Sequence, residues 1–460
     1  MSEKNVWNIR SESELARINT LAEDYKEYIS QGKTERRCVD LAVMEAEKRG
    51  FISLEDKIRK DEALKPGDKV YAHCMKKSLL LAVIGQEPIE NGMNILGAHI
   101  DSPRLDLKQN PLYEDTGMAL LDTHYYGGIK KYQWVTIPLA IYGVVIKKDG
   151  STIQVEIGDK EGDPVFCITD LLVHLAGEQM EKKAKEVIEG EGLDILIGSQ
   201  PEKDADKDAV KRNILKLLKD KYNIEEDDFL SAEIEIVPAG KARDCGLDRS
   251  MIMGYGQDDR VCAYTSLMAL LEAENLSRTG ICLLADKEEV GSVGATGMHS
   301  HFFENTIAEI MNLTGEYSEL SLRRALRNCF MLSSDVSAAF DPNYAASFEK
   351  KNSAYFGKGL VFNKYTGARG KSGCNDANAE YLAKLRKVMD DEGILFQTSE
   401  LGKVDVGGGG TIAYILANYG MEVIDSGIAL LNMHAPWEIS SKADIYEAYK
   451  GYGAFLTHMR

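Results

Sequence analysis

The chain has 460 residues, 44% of them hydrophobic and 28% charged, which is the composition of a globular protein of two or three domains. A net charge of −18 repels phosphate backbones and argues against a nucleic-acid partner. No run of about 18 apolar residues exists to cross a membrane, and the charged N-terminus MSEKNVWNIRSESELARINTLAEDYKEY lacks the apolar core of a signal peptide, so a cytoplasmic location is expected.

Residues 15–49 keep a helical spacing of apolar positions, first through Leu15, Ile18, Leu21 and Ala22, then through Val39, Leu41, Ala42 and Ala46. Two continuous apolar runs follow, Ser78–Ile84 and Met93–Ile100, as expected of sheet strands buried on both faces. From residue 106 to about 240 the character changes. Trp134–Ile146 and Thr152–Ile157 read as strands, and Glu178–Asp228 is dense in Lys, Glu and Asp, the pattern of solvated helices and loops.

After about residue 246 strands and helices alternate. Helices are expected at 259–275, 378–391, from 411 and over 443–456, and strands at 280–286, 329–334, 394–398 and 421–424. This rhythm predicts an α/β fold, a mainly parallel sheet sandwiched by helices. The catalytic part then comprises 1–105 and 241–460, interrupted by a β-rich domain at 106–240. The eight cysteines form no C-x-x-C pair and several sit in apolar runs, so reduced, buried thiols are expected.

Four apolar strands run directly into acids or a histidine. ILGAHIDSP carries His99 and Asp101, LLADKEEVGS carries Glu288 and Glu289, FMLSSDVS carries Asp335, and IALLNMHAP carries His434. Ligands bind at the carboxyl ends of strands in open α/β sheets, so residues far apart in sequence converge there. A fifth segment, GYGQDDR, sets Asp258 at a helix start.

His with carboxylates suits zinc, cobalt or manganese. Asp101, two residues from His99, can fix the imidazole tautomer. Of the adjacent acids 288 and 289, one can bind metal while the other takes a proton from water. Asp258 fits a carboxylate bridging two metals. Each residue also has an ordinary reading: a strand-end surface group, a solvated acid pair or a helix cap. No dinucleotide fingerprint, Walker A sequence, G-x-S-x-G elbow or H-E-x-x-H occurs.

At these residues the sequence resembles the aspartyl-aminopeptidase family of dinuclear zinc peptidases. GAHIDSPRLDLK, the Asp of GQDDR, DKEEVGS, SSDVS and NMHAPWE occur in the family's order. The resemblance implies metal ligands at His99, Asp258, Glu289, Asp335 and His434, with Asp258 bridging two divalent ions, zinc or alternatively cobalt or manganese. It implies Glu288 as general base and Asp101 as the group orienting His99. Asp259 stands where better-known members carry Asn.

The resemblance further implies that the inserted domain serves dimerisation and acts as a lid, and that dimers build a dodecamer. In such assemblies a histidine of a neighbouring subunit enters the active site, a role for which His174 is the candidate by position. The substrates would be peptides with free N-termini. A basic pocket residue would select acidic N-terminal side chains; KYTGARGKSGCND offers Lys364, Arg369 and Lys371, of which Lys371 fits best by position. The competing readings are another two-metal amidohydrolase (a deacylase or carboxypeptidase) and a non-enzymatic self-assembling shell protein.

Overall fold

The computed structural model describes residues 4–367 and 370–460, which separate into two compact units. The first comprises 1–101, 242–433 and 438–460; the second comprises 102–241 and 434–437.

The first unit opens with helices Glu12–Gln31 and Glu35–Lys48. The expected helical stretch 15–49 is thus split. Ser11 and Glu14 form a reciprocal capping box at the first helix, and the Thr34 side chain accepts the Arg37 N–H at the start of the second. Strands β1 (Ile52–Ser53), β2 (Lys69–Cys74), β3 (Ser78–Val83) and β4 (Asn94–His99) follow.

The second unit supplies β5 (Arg104–Asp115), β6 (Met118–Tyr126), β7 (Leu139–Ile146), β8 (Thr152–Ile157), β9 (Ile195–Gly198) and β10 (Ala232–Pro238). They form one antiparallel sheet in the order β8-β7-β10-β5-β6-β9. The polar stretch 178–228 contains β9 and the helix Ala209–Tyr222.

Back in the first unit, β11 (Arg243–Cys245), β12 (Met251–Gly254), β13 (Gly280–Ala285), β14 (Phe330–Ser334) and β15 (Ser337–Ala338) precede β16 (Leu360–Asn363) and β17 (Phe396–Thr398). The last strands are β18 (Glu422–Gly427), β19 (Ala429–Leu431) and β20 (Glu438–Ser441). A nine-stranded sheet runs β1-β2-β3-β13-β4-β14-β18-β16-β17. Its centre, β13-β4-β14-β18, is parallel, as the strand–helix rhythm predicts. Antiparallel joints at β2–β3, β3–β13 and β16–β18 make the whole sheet mixed. A smaller five-stranded sheet runs β11-β12-β20-β19-β15.

Every residue of β4 and β13 is buried. Alternate side chains serve two separate cores: Leu96, Cys282, Leu284, Leu332 and Ile424 face one way, and Ile95, Ile281, Leu283, Met331 and Val423 the other. Helices Glu12–Gln31, Glu35–Lys48, Gln257–Leu271, Ala379–Asp391 and Lys442–His458 cover the first face. Phe302–Leu313 and Ala413–Ala417 cover the second. No helix among the described residues is long and apolar enough to cross a membrane.

Candidate active site

The parallel register sets the carboxyl ends of the central strands side by side. His99, the last residue of β4, pairs with Ala285, the last of β13, so Asp286 and the turn Glu288–Val290 begin beside His99. On the other flank Ser333 pairs with Gly97, and Asp335 follows two residues later at the level of His99. The helix that begins at Gln257 brings Asp258 to the same point. Asp258 and Asp259 depart from helical dihedrals and are joined by a cis peptide bond.

The imidazole of His99 is the hub. Its Nε2 lies 3.3 Å from Asp258 Oδ1 and 3.9 Å from Glu288 Oε2. On the opposite edge, Nδ1 lies 3.1 Å from the Asp101 carbonyl oxygen and 3.3 Å from its Oδ1. A proton on Nδ1 donated to Asp101 leaves the Nε2 lone pair on the side of Asp258 and Glu288. Potential ligand atoms of His99, Glu288 and Glu289 lie within 4.8 Å of one another, as do those of His99, Asp258 and Asp335.

Electrostatically the site has too many acids. Burial, reinforced by the charges of Asp259 and Asp258, holds the Asp335 carboxyl well above the usual carboxylate range. Burial does the same to Asp259. Burial alone would lower His99, but hydrogen bonds to Asp101 and Asp258 and the charge of Glu288 outweigh it, so the imidazole is raised well above its ordinary value. A cluster that strains toward protonation in this way is what a divalent cation relieves, and its O and N donors suit zinc.

Three neighbours support the hub, and two of them, Arg260 and Glu438, escaped the reading of the sequence. Asp259 is fully buried and its Oδ2 accepts the His99 backbone N–H at 3.3 Å, which fixes the main chain of the hub. Arg260 is buried; its Nε donates to the Ile100 carbonyl at 2.9 Å and its guanidinium lies 5.4 Å from the Tyr255 ring centroid. Glu438 is buried on β20 and its Oε2 accepts the Asp258 N–H at 3.0 Å. An available signal was their adjacency to the motifs, Asp259-Arg260 after Asp258 and Glu438 closing HAPWE.

His434 lies in the second unit, at a left-handed φ of +65°, with Nδ1 2.9 Å from the Gly128 carbonyl. That bond places the donor proton on Nδ1 and a lone pair on Nε2. His174 stands in an exposed turn before the short helix Gly177–Met180, not on a helix face. Lys371 is exposed and pairs with Asp376 at 2.9 Å, its ammonium 3.7 Å from the Tyr365 ring centroid. Lys364 pairs with the same carboxylate, so two cations share one anion. Arg369 lies outside the described residues.

Residues 28–456 match the family described as aminopeptidase I zinc metalloprotease (M18). The M18 family aminopeptidase 1 of Clostridium acetobutylicum is 65% identical over 456 residues, covering 99% of this chain and 98% of its own. The crystal structure of aminopeptidase I from that organism superposes with a TM-score of 0.93 at 62% identity, covering 99% of each chain. The M18 aminopeptidase crystal structure from Thermotoga maritima gives 0.95 at 46% identity over the full length of both. A structure of the Saccharomyces cerevisiae mApe1 dodecamer shares the fold, with a TM-score of 0.76 at 19% identity, covering 94% of this chain and 95% of that one. These matches favour neither a deacylase or carboxypeptidase nor a shell protein, and the chain belongs to the M18 family of zinc metalloaminopeptidases.

Proposed function

We propose that this aminopeptidase works with two divalent ions, held by His99, Asp258, Glu289, Asp335 and His434, with Asp258 shared between them. The observation that carries this reading is the convergence of two overlapping donor groups on one imidazole, His99-Glu288-Glu289 and His99-Asp258-Asp335, where burial holds the Asp335 carboxyl above its ordinary range. Zinc is the metal the family description favours. Bound there, divalent ions would polarise the scissile carbonyl and bring the pKa of an attacking water toward neutrality.

The chain's own groups do the rest. Glu288 accepts the proton of the attacking water and later delivers it to the departing amine. Asp101 holds the His99 tautomer and the backbone of the acid pair. A free α-amine on the substrate, recognised by the acidic surroundings, restricts cleavage to the first peptide bond. Acidic N-terminal residues are the proposed preference, with Lys371 as the recognising cation. The two lysines around Asp376 leave a net positive charge there, which supports that assignment.

The second unit, 102–241 with 434–437, would serve dimerisation and act as a lid, and the assembly would be a dodecamer built from dimers in the cytoplasm. The dodecameric yeast relative supports a homo-oligomer. His174 would enter a neighbouring subunit's site. The test is turnover of Asp-, Glu-, Leu- and Lys-anilides, each free and Nα-acetylated, with metal analysis of the same preparation. Free acidic anilides should be cleaved fastest by a protein carrying two ions per chain. Undiminished cleavage of acetylated substrates would exclude recognition of the amine. Leu turnover equal to Asp would remove the acidic preference, and one ion per chain the shared Asp258.

A further inference from the structure

Inside the second unit the helix Ala209–Tyr222 lies over the six-stranded sheet, packed against β5, β6 and β9. At its first turn the Val210 and Lys211 N–H groups both donate to Glu114 Oε2 at 2.9 Å. Asn213 Nδ2 donates to the Gln200 carbonyl at 3.0 Å. At its far end Lys147 Nζ donates to the carbonyl of Asn223, the capping residue, at 2.9 Å. These polar ties set the height of the helix. Its apolar face does not close the gap: Val210 is its buried residue, while Ile214 and Leu218 are half-buried and Leu217 is 54% exposed.

Beneath the helix lies a cavity of about 270 Å³, with a floor that includes Leu121, Ile141, Val155 and Ile234. The sheet register contributes to this space. Gly143 stands between Ile234 of β10 and Val155 of β8, so the row across three strands lacks a side chain at its centre. Gly143 cannot be replaced by a larger residue cheaply. It sits at a φ of +144° and a Cβ there would meet the Glu233 carbonyl oxygen at 2.0 Å. The polar side chains among the lining residues, Lys221 and Tyr222, stand on the last turn of the helix.

We infer that this cavity is a binding site for a small, uncharged apolar molecule, such as a fused aromatic pair or a single hydrocarbon chain. Three observations select that occupant. The walls offer few polar partners, and a water needs two to four, so the space favours apolar contact over ordered water. The volume exceeds the roughly 150 Å³ of an apolar cavity that admits benzene. The helix already roofs the sheet, so a further helix of about 10 Å diameter has no room. The site lies wholly on residues of the second unit and uses none of the catalytic groups.

The experiment is titration of the full-length protein with the uncharged fluorophore N-phenyl-1-naphthylamine, together with xenon pressurisation of its crystals. Saturable binding of one fluorophore per chain and a xenon atom between Leu121, Val155 and Ile234 are expected. Val155→Phe, which projects a ring into the cavity, should weaken binding by at least about tenfold while leaving peptidase turnover unchanged. Should that variant fail to fold, Leu218→Asn, which places an amide against the cavity, should give the same loss. The inference is overturned if no saturable component and no xenon site appear, as when a second copy's side chain occupies the space. It is equally overturned if folded Val155→Phe binds the fluorophore as tightly as the parent.

Discussion

Asp101 holds Glu288 through its backbone: Asp101 Oδ1 accepts the Glu288 N–H at 3.1 Å. The other oxygen, Oδ2, accepts the Glu289 N–H at the same distance, and Oδ1 also lies 3.3 Å from His99 Nδ1. One carboxylate therefore ties the end of β4 to the turn after β13. An amide cannot do this, because its NH₂ would face a backbone N–H, donor against donor. Asp101→Asn should weaken metal retention by roughly 10–100-fold, the effect typical of groups that orient ligands. Zinc remaining after dialysis against graded chelator measures this. Retention equal to the parent's would reduce Asp101 to a packing role.

Glu288 carries the proton in the proposed reaction, and its carboxylate stands 3.9 Å from His99 Nε2. Glu288→Gln preserves shape and removes the base. Turnover should fall by roughly 10²–10⁴-fold, with the thermal midpoint and bound metal unchanged. Initial rates on a free aminoacyl anilide, beside metal analysis of the same sample, separate loss of base from loss of site. Retained hydrolysis would refute the role.

The central strands and the acids and histidine at their ends were legible because both leave local marks. β4, β13 and β14 are short apolar runs that stop at His99, Asp286 and Asp335, and parallel register does the rest. The edges were less legible. Whether β3 joins β13 antiparallel depends on the path of the chain, which hydrophobic period does not encode. The β5–β6 hairpin was missed because Gln109-Asn110-Pro111 interrupts β5, where the register shifts between Leu107 and Leu112. Glu438 was passed over because a buried acid with a backbone partner resembles a solvated one in sequence.

Removing metal should destabilise the first unit. Asp258 and Asp259 are buried with the half-buried Asp335, and without a cation their mutual repulsion favours protonation. A ligand at a hundred times its dissociation constant stabilises a fold by about 2.7 kcal/mol, so zinc should raise the unfolding temperature by a few degrees and chelator should lower it. Calorimetry at neutral pH with and without chelator checks this. Identical midpoints would show that the acids do not depend on a bound cation.

The pocket cations are held in check by one acid. Asp376 pairs with both Lys364 and Lys371, and these partners lower its carboxyl below the usual value. Asp376→Asn releases both ammonium groups. If Lys371 recognises acidic side chains, kcat/KM for Asp-anilide relative to Leu-anilide should rise several-fold, since one charged contact at an exposed site contributes about 0–1 kcal/mol. Lys371→Met should move the ratio the other way. A ratio unmoved by both substitutions would exclude the loop from substrate selection.

Asp425 gives a pH signature distinct from catalysis. Its carboxyl is buried within β18, where Oδ1 accepts the Thr411 hydroxyl at 2.6 Å and Oδ2 has no partner among the described residues. Burial pushes its pKa up to about 7, against the lowering effect of Thr411. In the unfolded chain it titrates near 3.8. Between those values the folded protein binds the extra proton, so the stability from this group is complete below about pH 4 and is lost as pH rises through 7. Asp425→Asn keeps the acceptor for Thr411 and cannot ionise. Relative to the parent it should gain on the order of 4 kcal/mol between pH 4 and pH 8, the shift converted at about 1.4 kcal/mol per unit. Urea midpoints of both proteins at pH 5, 6, 7 and 8 test this: the parent should weaken more steeply, with the difference growing until about pH 7 and then levelling. Parallel midpoint curves would mean that Asp425 is ionised in the folded protein across the whole range.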